Sequence, residues 1–258
     1  MSLPAHSNPG IYSLSQEWPN TCSFHLVGIG GISMSGLAEI LLRLGFEVSG
    51  SDLSRSKLTD RLESLGATVY EGHDALNITD VDVVVYSAAV KDNNPELISA
   101  RERGILILSR GDLLAGMIRQ GKGIAVAGTH GKSTTTTMIG LMLLDCGHDP
   151  TLIVGGVVPV LGSNIKMGEG DHIVVEADEY SRSFLQLSPE IAVLTSIDAD
   201  HLEYFGGQEA IDEAFLTFIH SIPCYRPVIA CKNDPGVCRI LPQVRRNIIT
   251  YGCDIEAD

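Results

Sequence analysis

Residues Gly128, Thr129, His130, Gly131, Lys132, Ser133 and Thr134 lie between the apolar run Ile124–Ala127 and a segment whose apolar positions recur from Met138 to Leu144. A short apolar run, a glycine-rich turn and a periodic segment spell strand, turn and helix start. Backbone N–H groups in such a turn, with the positive end of the helix dipole behind them, form a cradle for phosphate. A lysine at this place reaches the terminal phosphates, and the next hydroxyl suits Mg²⁺. The usual phosphate loop has a glycine five places before its Gly-Lys pair, where this chain has Val126. The generic pattern is therefore not strictly met, but strand, loop, lysine and helix agree on a site for a nucleoside triphosphate.

A second glycine-rich turn lies upstream. Phe24–Ile29 is an apolar strand that runs into Gly28, Gly30, Gly31 and Ser33, after which Leu37, Ile40, Leu41 and Leu44 recur at helical spacing. This is the first βα unit of a Rossmann-like domain. Gly28 and Gly30 fit the first two places of Gly-x-Gly-x-x-Gly, and Ser33 stands in the third. The pattern alone also fits a tight turn without a ligand, or a dinucleotide site. Because the chain already carries a stronger triphosphate loop, the diphosphate of another substrate is the better match. Strand Glu47–Gly50 ends in Ser51 and Asp52, and Asp52 is placed to accept from a ribose hydroxyl.

Strands at Thr68–Tyr70, Val81–Tyr86 and Ile105–Leu108, with a helix over Pro95–Arg103, continue the alternation that gives parallel strands and crossover helices. Ligands of such sheets gather beyond the carboxyl ends of the strands, which brings in Asp52, Ser87 and the Gly72-His73 turn, with His73 expected in solvent. A helix around Arg110–Gly123 marks the boundary. The expected division is a lead-in over 1–22, a Rossmann-like domain over 23–120 and a phosphate-loop α/β ATPase domain over 121–258.

In the second domain, Leu152–Val154 leads into a glycine-rich loop, Gly155–Gly162, expected to face the triphosphate. Strand His172–Val175 delivers Glu176, Asp178 and Glu179 at its carboxyl end. A carboxylate there can hold Mg²⁺ against the β and γ oxygens. Glu176 is the candidate, with Asp178 and Glu179 behind the metal or facing solvent. Strand Ile191–Leu194 ends near Asp200 and His201, where an imidazole could ligate a second Mg²⁺ or bond the transferring group. Helix Ala210–Ile219, strand Pro227–Cys231, a helix start at Asn233-Asp234-Pro235 and a core strand at Ile248–Tyr251 complete the reading.

These motifs, in this order, resemble the Mur ligases. The loop at Gly128–Thr134 resembles their ATP-binding loop, and its histidine points to the branch acting on UDP-N-acetylmuramate. The run from Gly28 to Ala38 resembles the UDP-binding loop of the ligases that add L-alanine to that sugar. Glu176 resembles their Mg²⁺-binding glutamate, and Asp200-His201-Leu202-Glu203 resembles their Asp-His-Leu-Asp segment. Ser196 stands where they usually carry Asn.

The resemblance implies a cytoplasmic enzyme of peptidoglycan synthesis that uses ATP and Mg²⁺. The muramoyl carboxylate attacks the γ-phosphate to give an acyl phosphate, and the amine of L-alanine then expels phosphate. Lys132, Glu176 and His201 are the implied catalytic residues, with Mg²⁺ on Ser133, Glu176 and His201. Gly28, Gly30, Gly31, Ser33, Asp52 and Ser87 would hold the UDP-sugar. The family's third domain would follow Asp258, so the polypeptide as it stands is expected not to ligate. Two rivals share the loops: a ligase that attaches a recycled peptide to the same UDP-sugar, and a non-catalytic binder of nucleotide or UDP-sugar.

Composition limits the alternatives. With 258 residues and 44% hydrophobic content the chain can build two packed cores. A formal charge of −14 argues against nucleic acid or an anionic membrane as partner, since both require clustered Lys and Arg. Six cysteines without a Cys-x-x-Cys pair indicate neither zinc nor a disulfide framework and read as reduced cytosolic thiols. No basic lead and apolar core make a signal peptide in the first 22 residues, and no run is long enough to span a membrane.

Overall fold

The computed structural model describes residue 18, residues 22–198 and residues 205–253. Five strands, β1 (Ser23–Val27), β2 (Glu47–Asp52), β3 (Thr68–Glu71), β4 (Val83–Tyr86) and β5 (Leu106–Ser109), form one sheet in the order β3-β2-β1-β4-β5. Every neighbouring pair in it is parallel. Strand β1 is buried along its whole length, as an apolar run covered on both faces requires. The chain moves to one side of β1 for β2 and β3 and to the other for β4 and β5. The carboxyl end of β1, where the glycine turn begins, is thus a topological switch point, where open parallel sheets bind ligands.

Three helices connect these strands, α1 (Ile32–Arg43), α2 (Lys57–Ser64) and α3 (Pro95–Glu102), and α4 (Arg110–Ile118) follows β5. Helix α3 starts where its sequence says it should, with the Asn94 side chain accepting from the Glu96 and Leu97 N–H groups and Pro95 in the first turn. Helix α2 was not anticipated. Only Thr59 and Leu62 are buried along it, so it has almost no apolar period to read, and it is set instead by a capping box in which Ser56 and Thr59 satisfy each other's backbone N–H.

The second sheet has seven strands, β6 (Lys122–Ala127), β7 (Thr151–Val158), β8 (Ser163–Lys166), β9 (His172–Ala177), β10 (Ile191–Leu194), β11 (Pro227–Cys231) and β12 (Asn247–Tyr251), in the order β12-β11-β10-β6-β9-β7-β8. Helices α5 (Lys132–Asp145), α6 (Gln208–Ser221) and α7 (Pro235–Ile240) accompany it. Phe184, Phe215 and Phe218 are fully buried, and the Phe184 ring packs at a tilt against both of the others, so α6 seats on the short 3₁₀ helix Tyr180–Gln186.

Three expectations are corrected. The helix expected to reach Gly123 stops at Ile118, because Lys122 is already the first residue of β6. The strand expected in the core at Ile248–Tyr251 lies at the sheet edge, with Asn247, Ile249 and Tyr251 exposed in alternation. The glycine-rich segment read as a loop facing the triphosphate instead prolongs β7 as far as Val158.

The described residues form two compact units. One holds the residues up to Gly116 together with Val154–Ile165, and the other holds Met117–Ile153 and the residues from Lys166 onward. A stretch from the middle of the chain therefore belongs to the first unit. Among the described residues no helix is long and apolar enough to cross a membrane. All six cysteines are free.

Candidate nucleotide and sugar-nucleotide sites

Strand β6 lies between β10 and β9, with Ala127 opposite Leu194 on one side and Val126 opposite Glu176 on the other. That register brings the loop after β6 next to the chain leaving β10 and the carboxylate on β9. Gly128 sits at φ +145, and a Cβ there would lie 2.1 Å from Thr195 Oγ1. Only glycine fits. The Thr129 N–H donates to the Ser196 carbonyl at 2.9 Å, and the His130 N–H donates to Ser196 Oγ at 2.9 Å. Thr195 Oγ1 donates to the His130 carbonyl at 2.5 Å, and the Asp198 N–H donates to Thr129 Oγ1 at 2.8 Å.

Residues 195–198 are therefore the buttress of the loop, a role that sequence reasoning missed. Ser196, where the resembling ligases carry Asn, uses both its hydroxyl and its carbonyl for this. Gly131, at φ +79, caps α5, whose first turn carries Lys132, Ser133 and Thr134 with no side chain covering its N–H groups. The loop end is thus rich in donors.

Lys132 Nζ donates to the carbonyls of Gly128 and Thr129 at 2.7 and 3.2 Å, and to Glu179 at 3.0 Å. Glu179 is only 6% exposed. Of the two places expected for it, behind the metal or in solvent, its burial excludes solvent: it is the buried counter-ion of the loop lysine. Ser133 Oγ donates to Glu176 Oε2 at 2.9 Å, which sets a hydroxyl and a carboxylate side by side at the open end of the loop. Two hard oxygen donors fit Mg²⁺. Among the described residues there is no group of three or more His, Cys, Asp or Glu that could hold a metal. The candidate His201 lies outside the described residues.

The upstream glycine turn is organised by β2. Gly28 N–H and Ile29 N–H both donate to the Ser51 carbonyl, at 2.8 and 3.0 Å, and Gly30 N–H donates to Asp52 Oδ2 at 2.8 Å. The other Asp52 oxygen accepts from Leu53 N–H at 2.8 Å. Asp52, expected at a ribose, here holds the turn itself. Ser87 follows β4 and donates its N–H to the Val27 carbonyl, which places it beside Gly28. Gly31 caps α1 without a side-chain bond, and Ser33 lies in the first helical turn.

Two further residues support this turn, and no local signal announced them. Asn164, buried on β8, donates from Nδ2 to the Ile32 carbonyl at 2.9 Å. His73 was expected in solvent, but its Nδ1 lies 2.9 Å from Ser51 Oγ and 3.1 Å from Glu96 Oε2. Glu96 is fully buried. Its burial opposes the charge, yet hydrogen bonding from the His25 side, from Ser51 and from Asn77 outweighs that and holds its carboxyl below the usual range.

Comparison with known proteins identifies the family. Residues 23–122 match the family described as "Mur ligase family, catalytic domain", and residues 126–258 match the "Mur ligase middle domain". A UDP-N-acetylmuramate–L-alanine ligase of Solidesulfovibrio magneticus is 52% identical over 233 residues, covering 90% of this chain and 51% of that protein. One of the same name from Geobacter sulfurreducens is 52% identical over 235 residues, covering 91% and 51%. The chain thus spans about half the length of the curated relatives it matches.

Among solved structures, a UDP-N-acetylmuramate:L-alanyl-γ-D-glutamyl-meso-diaminopimelate ligase from Neisseria meningitides superposes with a TM-score of 0.83 at 28% identity, covering 89% of this chain and 78% of that one. A UDP-N-acetylmuramate–alanine ligase from Thermotoga maritima gives 0.79 at 30% identity, covering 90% and 53%.

Proposed function

This chain belongs to the Mur ligase family, and on that premise we propose that it is the part of a UDP-N-acetylmuramate–L-alanine ligase that binds ATP and the UDP-sugar. The observation that carries the reading is the convergence of Lys132, Ser133 and Glu176 on one donor-rich loop end. Lys132 offsets charge on the terminal phosphates, and Ser133 and Glu176 hold Mg²⁺. When bound, that ion would supply positive charge against the terminal phosphates. The Gly28–Gly31 turn and the uncapped start of α1 take the diphosphate of the UDP-sugar, with Ser33 and Ser87 beside it.

In the whole enzyme, a muramoyl carboxylate oxygen attacks the γ-phosphorus and ADP departs. The L-alanine amine then attacks the acyl carbon, phosphate departs and the amine gives up its proton. His201 is assigned to a second Mg²⁺ or to the transferring group from its Asp-His-Leu-Glu context alone. The curated relatives at 52% identity are L-alanine ligases, which favours L-alanine over a peptide as the acceptor.

Calorimetry tests the loop assignment. Mg-ATP should bind the chain, and Lys132→Ala should weaken it by about 1.5–3 kcal/mol, the worth of a hydrogen bond to a charged group. Equal affinity in the two proteins would refute the site. For the sugar nucleotide, UDP-N-acetylmuramate should raise the melting temperature and NAD should not. Better protection by NAD would point to a dinucleotide enzyme instead.

A further inference from the structure

The amine of Lys132 is fully occupied before any nucleotide arrives. An ammonium group has three N–H donors, and here they meet three acceptors: the carbonyls of Gly128 and Thr129, and the carboxylate of Glu179, whose two oxygens lie 3.0 and 2.9 Å away. The lysine side chain is 13% exposed and the glutamate side chain 8%. A phosphate oxygen can therefore reach this ammonium only when one of the three lets go.

The two carbonyls belong to the loop, three and four residues from the lysine, and they help define its shape. Glu179 follows β9 and is held to the lysine by charge. A polyphosphate carries the same sign of charge as Glu179, and at this separation in a partly dry site like charges repel strongly. The carboxylate is the partner that is displaced.

We propose that Glu179 is a built-in stand-in for the terminal phosphate: it neutralises Lys132 in the empty loop, and nucleotide binds by exchanging with it. The inference deepens the triphosphate reading above and rests on it. Its physical logic is that a nearly buried ammonium without a counter-ion is costly, so the empty loop needs an anion of its own. That anion competes with the ligand, so stability of the empty protein is gained at the expense of affinity for ATP. The exchange is purely electrostatic and forms or breaks no covalent bond.

Glu179→Gln removes the charge while keeping the side-chain shape. In the full 258-residue chain it should lower the melting temperature without nucleotide. It should also bind Mg-ATP about tenfold more tightly, a change of about 1.4 kcal/mol. Adenosine, which carries no phosphate, should bind both proteins equally. A residue of merely structural importance would lower the melting temperature without tightening ATP. Unchanged or weaker Mg-ATP binding by Glu179→Gln would therefore overturn the proposal.

If that variant does not fold, a crystal structure of the unaltered protein with Mg²⁺ and a non-hydrolysable ATP analogue decides the matter. The Lys132–Glu179 pair should be open and the ammonium on the phosphates. An intact pair beside bound phosphates would refute the exchange. Absence of Mg-ATP binding by the unaltered protein would overturn the triphosphate reading, and this inference with it, so the two failures are distinguishable.

Discussion

At the scale of single residues, the loop after β6 is constrained by space more than by charge. Gly128 combines a backbone angle that side chains rarely adopt with the approach of Thr195 Oγ1. Gly128→Ala should thus destabilise the protein by about 2 kcal/mol or more and weaken Mg-ATP binding, because relief of the clash moves the loop off its buttress. Gly156 is the matched control: a Cβ there meets nothing within 4 Å, and Gly156→Ala should stay within about 0.5 kcal/mol of the parent. Urea denaturation of both variants makes the comparison. The turn and the helix start after it were legible in seven consecutive letters. What holds it was not, because Ser196 lies 66 residues from His130, with nothing in the local pattern to join them.

At the scale of elements, the unexpected contribution is the strand pair β7 and β8. Residues 155–162 are rich in glycine, which weakens strands, so they read as loop. In the fold residues 155–158 prolong a strand and residues 159–162 turn toward Asn164, which bonds the first turn of α1. The fit is close: a Cβ on Gly36 would lie 2.7 Å from Asn164 Nδ2 and 2.8 Å from Ile165 Cγ2. Gly36→Ala should push β8 away from α1, and Asn164→Ala should remove the bond outright, at a cost of about 1 kcal/mol. Hydrogen exchange at the amides of the first turn of α1 should quicken in both variants, and affinity for UDP-N-acetylmuramate should fall with it. Unaltered exchange would show that β8 does not stiffen the helix start.

At the scale of the whole molecule, acid stability follows from carboxylates held below their ordinary range in both units. Glu96 is described above. Asp212 is held down by hydrogen bonds from Arg239, and Asp149 by the Glu169 N–H and by Lys166. Each such group binds a proton more weakly in the folded chain than in the unfolded one. Its stabilisation is complete above the unfolded value, about 4 for these side chains, and is lost as pH falls through the lower folded value. Stability should therefore fall below about pH 4, even though protonation also reduces the net charge of −14. Urea midpoints measured from pH 6 to pH 3 should show the decline, and Glu96→Gln should flatten it.

The chain's own letters determined that it is an α/β protein with parallel sheets and two glycine-rich turns at helix starts, because period, turn chemistry and helix starts are local properties. Only the tertiary structure decided which distant groups complete those loops. Glu179 pairs with Lys132 across 47 residues, and Asn164 reaches Ile32 across 132. His73 is drawn onto the buried Glu96. Such pairs depend on strand order, on β9 and β10 flanking β6 and on β8 packing with the first unit, and strand order arises from the packing of the whole sheet, which no short stretch of sequence carries.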